Sequence, residues 1–122
     1  MRAILINPAT RTVTPITYDG NWKSIAPMIH AASGLFDIVR VSDTTDLYVD
    51  DEGLLIHPNP NGYFMWADPG NFRGRVPLAG CALLLGHDSE GDACDVDVTP
   101  QWVRERVIWS TLGCGHGWPH GE

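Results

Sequence analysis

Apolar and polar positions along this chain follow two rhythms, and the clearer lies between residues 77 and 99. Residues 78–85 form an apolar run broken only by Gly80. A polar loop follows, Gly86-His87-Asp88-Ser89-Glu90-Gly91-Asp92, and then Cys94, Val96 and Val98 alternate with Asp95 and Asp97. A continuous short apolar run reads as a strand buried on both faces, and period-two alternation as a half-buried one. The stretch therefore predicts a hairpin with a central first strand and a more peripheral second strand. At the N-terminus, residues 3–7 give a strand closed by Pro8, and the β-branched residues 12–17 give its hairpin partner. Pro15 makes that partner an edge or bent strand, because proline cannot donate to a ladder.

The second rhythm is helical. Trp22, Ile25, Met28, Ile29 and Ala32 recur at spacings of three and four, which predicts a helix over residues 22–32. With Ser24 as the N-cap, Pro27 falls in the first turn, where it has no intrahelical bond to lose, and Gly34 supplies the C-terminal stop. Thr99-Pro100 is an N-cap and N1 pair. Val103, Val107 and Ile108, flanked by Trp102 and Trp109, predict a second helix that runs to Gly113. Further strands are expected at residues 36–41, 47–49, 54–57 and 63–66, with Asp50-Asp51-Glu52-Gly53 as a hairpin turn and Asn61-Gly62 as another. Residues 67–76 and the tail have no periodicity.

These elements add up to an α+β fold: one domain over residues 1–112, with a mostly antiparallel, curved sheet of about six to eight strands and two helices packed on it. Residues 113–122 are expected to be an irregular tail. Chain length allows a real core without a disulfide or metal staple.

Charge changes the picture more than composition does. Fifteen acidic against eight basic residues give a net charge of −7, which argues against direct nucleic-acid binding through phosphates. It suits a basic protein partner, including an enzyme whose basic site an acidic surface would occupy. The hairpin tips Asp50, Asp51, Glu52 and Asp88, Glu90, Asp92 are the expected contact points. Three cysteines cannot all pair within one chain, there is no signal-like N-terminal segment, and the longest apolar run is too short for a bilayer. A cytoplasmic protein with no membrane contact is expected. The edge strand with Pro15 leaves a homo-oligomer open.

Three segments, taken in order, carry a resemblance. They are Arg2-Ala-Ile-Leu-Ile-Asn-Pro with Thr12-Val-Thr; Asp46-Leu-Tyr-Val-Asp-Asp-Glu-Gly-Leu; and Pro77-Leu-Ala-Gly with Leu84-Leu-Gly-His-Asp, Glu90-Gly-Asp, Val98-Thr and Val103. Together they resemble a family of small proteins of unknown function carried by phages, plasmids and other mobile elements. The resemblance implies a genomic setting in which small accessory proteins counter host defences or adjust host enzymes. It implies no catalytic or binding residues.

The residues themselves offer several chemistries. Cys114, His116 and His120 are acceptable zinc ligands, which Cys94 or His87 would complete, but their spacing lacks paired Cys-x-x-Cys units, so no cofactor is expected. Asp88, Glu90, Asp92, Asp95 and Asp97 are out of register with a calcium loop. The chain has no nucleophile elbow, and glycines 86 and 91 lack the Lys-Ser/Thr of a phosphate loop. His30 and His57 stand alone, and Cys81 lies in the apolar run. The segment from Trp66 to Arg75 is the main binding candidate. Trp66 and Phe72 would stack on a planar ligand, and Arg73 and Arg75 would pair with its phosphate. The leading reading is a non-catalytic accessory protein that binds a small anionic, nucleotide-like ligand. The second is an acidic inhibitor of a host enzyme, and the third an uncharacterised small enzyme.

Overall fold

A computed structural model describes residues 1–55, 59–67 and 75–109. Among these, nine strands form two sheets, and every strand pair is antiparallel. The larger sheet contains β1 (Arg2–Asn7), β2 (Thr12–Thr17), β3 (Phe36–Arg40), β4 (Thr45–Asp50), β7 (Ala82–His87) and β8 (Ala93–Cys94). Its order is β2-β1-β7-β4-β3, with β8 paired to the end of β7. The smaller sheet has the order β6-β5-β9, from β5 (Tyr63–Ala67), β6 (Arg75–Ala79) and β9 (Val107–Trp109). The helices are short: α1 (Ile25–Met28), entered through a 3₁₀ turn at Trp22–Ser24, and α2 (Pro100–Arg104).

Side-chain alternation splits the core across the two faces of the larger sheet. Ile4, Ile6, Leu47, Val49, Ala82 and Leu84 face Phe64 and Leu78 of the smaller sheet and Val103 of α2. On the opposite face, Ala3, Tyr48, Leu83 and Leu85 pack with Ile25, Ala26 and Ile29 from the α1 segment. The central strand β7 is therefore covered twice, and its residues 82–85 are all fully buried. That is the arrangement its unbroken apolar run predicts. The N-terminal hairpin and the edge position of β2 with Pro15 also match expectation.

Five elements differ from expectation. Residues 78–85 are two strands, because Gly80 at φ +83° carries the chain from the smaller sheet to the larger one. Only glycine adopts that conformation without strain. The strand after the polar loop pairs with β7 for two residues only; beyond it the chain runs beside β1, where the Val96 N–H donates to the Arg2 carbonyl at 3.0 Å. The first helix stops early: His30 takes φ +58° and the Ala31 N–H reaches back to the Ala26 carbonyl at 2.9 Å, a Schellman-type stop that precedes Gly34.

The C-terminal helix starts as expected, with the Thr99 hydroxyl accepting the Trp102 N–H at 3.1 Å. It ends after Arg104, where Arg106 donates to the Trp102 carbonyl at 3.0 Å and lies 3.9 Å over the Trp102 ring. The β-branched and aromatic residues of β9 then join β5 as a strand. Finally, Gly53–Leu55 is a 3₁₀ turn and not the start of a strand. Among the described residues no helix is long and apolar enough to cross a membrane.

Candidate functional site

The site grows out of strand register. Arg40 on β3 stands opposite Asp46 on β4, and Asp46 stands opposite Leu85 on β7. His87 lies two residues beyond Leu85 on the same face, a diagonal neighbour within side-chain reach. Three adjacent strands thus converge on one carboxylate. The His87 Nδ1 is 2.9 Å from Asp46 Oδ2, and both side chains are buried, at 8% and 7% exposure. An ionised carboxylate can only accept, so this bond holds its proton on the imidazole. The other oxygen, Asp46 Oδ1, has no hydrogen-bond partner among the described residues; the Arg40 Nε lies 3.6 Å away and supplies charge alone. The neighbouring Thr45 hydroxyl is also buried and unpartnered among the described residues.

Two turns frame a solvent-open cleft in front of this pair. The β3–β4 turn is held by the Thr44 N–H on the Ser42 hydroxyl at 3.2 Å. The β7–β8 turn is organised by Asp88, whose Oδ1 accepts the N–H groups of Glu90 at 3.0 Å and Asp92 at 2.9 Å. The turns are tied together where the His87 N–H donates to the Thr44 carbonyl at 2.9 Å, and where the Thr44 hydroxyl donates to Asp97 at 3.2 Å. Gly86 lets the chain at the end of β8 lie close against β7, since a Cβ there would lie 2.5 Å from the Asp95 carbonyl oxygen.

The cleft holds about 560 Å³. Its walls carry three carboxylates, Asp43, Asp88 and Glu90, against Arg40 and His87. The ion pairs at this end of the sheet all go to Asp46. Asp43, Asp88, Glu90, Asp92, Asp95 and Asp97 therefore have no salt-bridge partner among the described residues. Their field is felt nearby: the Cys94 thiol is pushed up by burial first, and then by Asp88, Asp95 and Asp97.

The family comparison covers all of this geometry. A model described as a domain of unknown function, DUF3846, matches residues 1–107. This chain belongs to the DUF3846 family. No curated protein and no solved structure matches it. The DUF3846 match runs from β1 to the first residue of β9 and includes the whole cleft.

Within this DUF3846 domain, the residues singled out from sequence fall in different places. Trp66 is a core residue, 2% exposed, with its ring 5.7 Å from that of Trp102 and its indole N–H buried without a partner among the described residues. Phe72 and Arg73 lie outside the described residues. Arg75 contributes backbone to β6, opposite Ala67, and its side chain is likewise outside the description. The two acidic tips sit at opposite ends of β4, so a six-residue strand of about 17 Å separates Asp50, Asp51 and Glu52 from Asp88, Glu90 and Asp92. Cys114, His116, His120 and His57 lie outside the described residues. Among the described residues no three His, Cys, Asp or Glu side chains are grouped to hold a metal ion. Cys81 is buried, and its thiol is pushed up to about 11 by that burial.

Sequence reasoning passed over Arg40 and Asp46, and considered His87 only as a spare metal ligand. The usable signal was Asp46 itself, a charged residue directly before the apolar stretch Leu47-Tyr48-Val49, but its partners follow only from three-strand register.

Proposed function

We propose that this DUF3846 protein is a non-catalytic binding module that receives a cationic side chain of a protein partner in the acid-lined cleft. The observation that carries the reading is the trio Asp43, Asp88 and Glu90 around a cleft of about 560 Å³, none of them neutralised by a cation within the described residues. A lysine or arginine entering there meets the Asp88 carboxylate already held in place by two backbone donors, so little ordering entropy is lost at that residue on binding. The buried Asp46–His87 pair fixes the floor on which both turns stand. No hydroxyl or thiol among the described residues is hydrogen-bonded to His87, so a nucleophilic role finds no support.

Of the four residues named for a small anionic ligand, Trp66 packs in the core, while Phe72, Arg73 and the Arg75 side chain lie outside the described residues. The cationic partner is therefore the better-supported choice. The resemblance to proteins of mobile elements supports a more specific version, an accessory protein that occupies a basic site on a host enzyme as a counter-defence.

Calorimetric titration with an arginine-rich peptide tests the proposal. Asp88→Asn with Glu90→Gln keeps the Asp88 oxygen that caps the turn and removes two charges. It is expected to weaken binding by about tenfold or more, whereas Asp51→Asn with Glu52→Gln at the far end leaves it unchanged. Equal losses from the two pairs would mean non-specific attraction to net charge and would overturn the proposal.

A further inference from the structure

The two outer edges of the larger sheet are treated differently. In β2 the residues whose backbone groups point away from β1 are Val13, Pro15 and Thr17, because Met1 and Tyr18 form a mutually bonded pair that sets the alternation. This edge is closed: Pro15 offers no N–H, and the outward Val13 carbonyl is taken by the Arg104 guanidinium at 3.0 Å. Both are recognised ways to stop an edge from pairing.

The β3 edge is open among the described residues. Val41 N–H bonds to Thr45 O at 3.0 Å, and Asp51 N–H to Leu35 O at 3.4 Å. With the β3–β4 register, these place the backbone groups of odd-numbered residues against β4. Phe36, Ile38 and Arg40 therefore direct their N–H and C=O groups outward. The one outward group with a partner is the Ile38 N–H, held by its neighbour's Asp37 Oδ1 at 3.2 Å. Large apolar side chains are exposed along the same edge, Leu35 at 56% and Ile38 at 51%.

We propose that β3 is a homodimerisation edge, at which two copies pair β3 with β3 antiparallel about a two-fold axis through Ile38. The occupant follows from self-complementarity. A two-fold axis perpendicular to a sheet pairs residues of equal parity, and only even-numbered residues of β3 face outward. Centring on Ile38 is the register that matches all three outward residues, Ile38 with Ile38 and Phe36 with Arg40 twice. It also places Leu35 opposite Val41 and Asp37 opposite Val39, so no like charges stand directly opposite each other. Arg40 of each copy comes within reach of the Phe36 ring of the other, a favourable cation–π placement. The pairing continues the six-stranded sheet across the axis into one of twelve strands. It does not depend on what the cleft binds.

Sedimentation velocity of the full chain over a wide concentration range tests this. The wild type is expected to show a reversible monomer–dimer equilibrium. Ile38→Pro removes only an outward N–H that the β3–β4 ladder does not use. Ile38→Lys places two ammonium groups against each other on the axis and covers the case in which the proline variant fails to fold. Each folded variant is expected to raise the dimer dissociation constant by at least about tenfold. A wild type that stays monomeric up to millimolar concentration, or a dimer that persists unchanged in the folded variants, would overturn the proposal.

Discussion

Asp46 is the residue on which this end of the molecule depends. Its carboxylate is buried between strands, bonded to His87 through one oxygen and, among the described residues, unbonded at the other. Such a pair contributes little net stability, yet removing His87 leaves the carboxylate in a poorly solvating environment with the exposed Arg40, 3.6 Å away, as its remaining charge partner among the described residues. His87→Ala is therefore expected to destabilise the fold by about 3–5 kcal/mol. Asp46→Asn, which removes the charge but keeps an acceptor, is expected to cost less. Urea denaturation of the two variants checks the order, and an equal or reversed cost would show that the buried charge is not what His87 compensates. Trp66 makes the complementary point. Its sequence neighbours suggested a ligand platform, but four residues of β5 are buried between β6 and β9, and the ring had no route to the surface.

At the scale of elements, what could be read from the sequence was whatever depends on local pattern. The β7 run Ala82-Leu83-Leu84-Leu85 announced a doubly covered strand, and Pro15 announced an edge. Thr99-Pro100 announced a helix start. Elements that depend on distant partners were not legible. Val107, Ile108 and Trp109 keep helical spacing with Val103, but they join β9 because β5 offers an open edge. The apolar run from Leu78 looked continuous because hydropathy does not record that Gly80 turns the chain from one sheet into the other. Arg40, Asp46 and His87 came together only through the registers of three strands. Gly86 is where this element-level reasoning is most exposed. Gly86→Ala would drive a Cβ into the Asp95 carbonyl and press on the Cys94 sulfur. It is expected to lower stability by about 1–3 kcal/mol, as overpacked sites do, and to loosen the β7–β8 turn. Hydrogen exchange at Asp88–Asp92 checks this, and unchanged protection of the Gly91 and Asp92 amides would contradict it.

Across the whole molecule, charge and sheet topology divide the surface into separate regions. The acidic cleft lies beyond the Thr45–Gly86 end of the larger sheet, the second acidic tip lies at the Asp50 end, and the open β3 edge runs between them. A net charge of −7 would attract cationic partners anywhere. The central claim is that the cleft is a defined receiving site and not merely part of a negative surface. Backbone amide shift mapping during titration with an arginine-rich peptide tests it most directly. The account predicts saturable shifts concentrated at Asp43, Thr44 and His87–Gly91, with little change at Asp51 and Glu52. Shifts of equal size at both ends of β4, or shifts that never saturate, would contradict it.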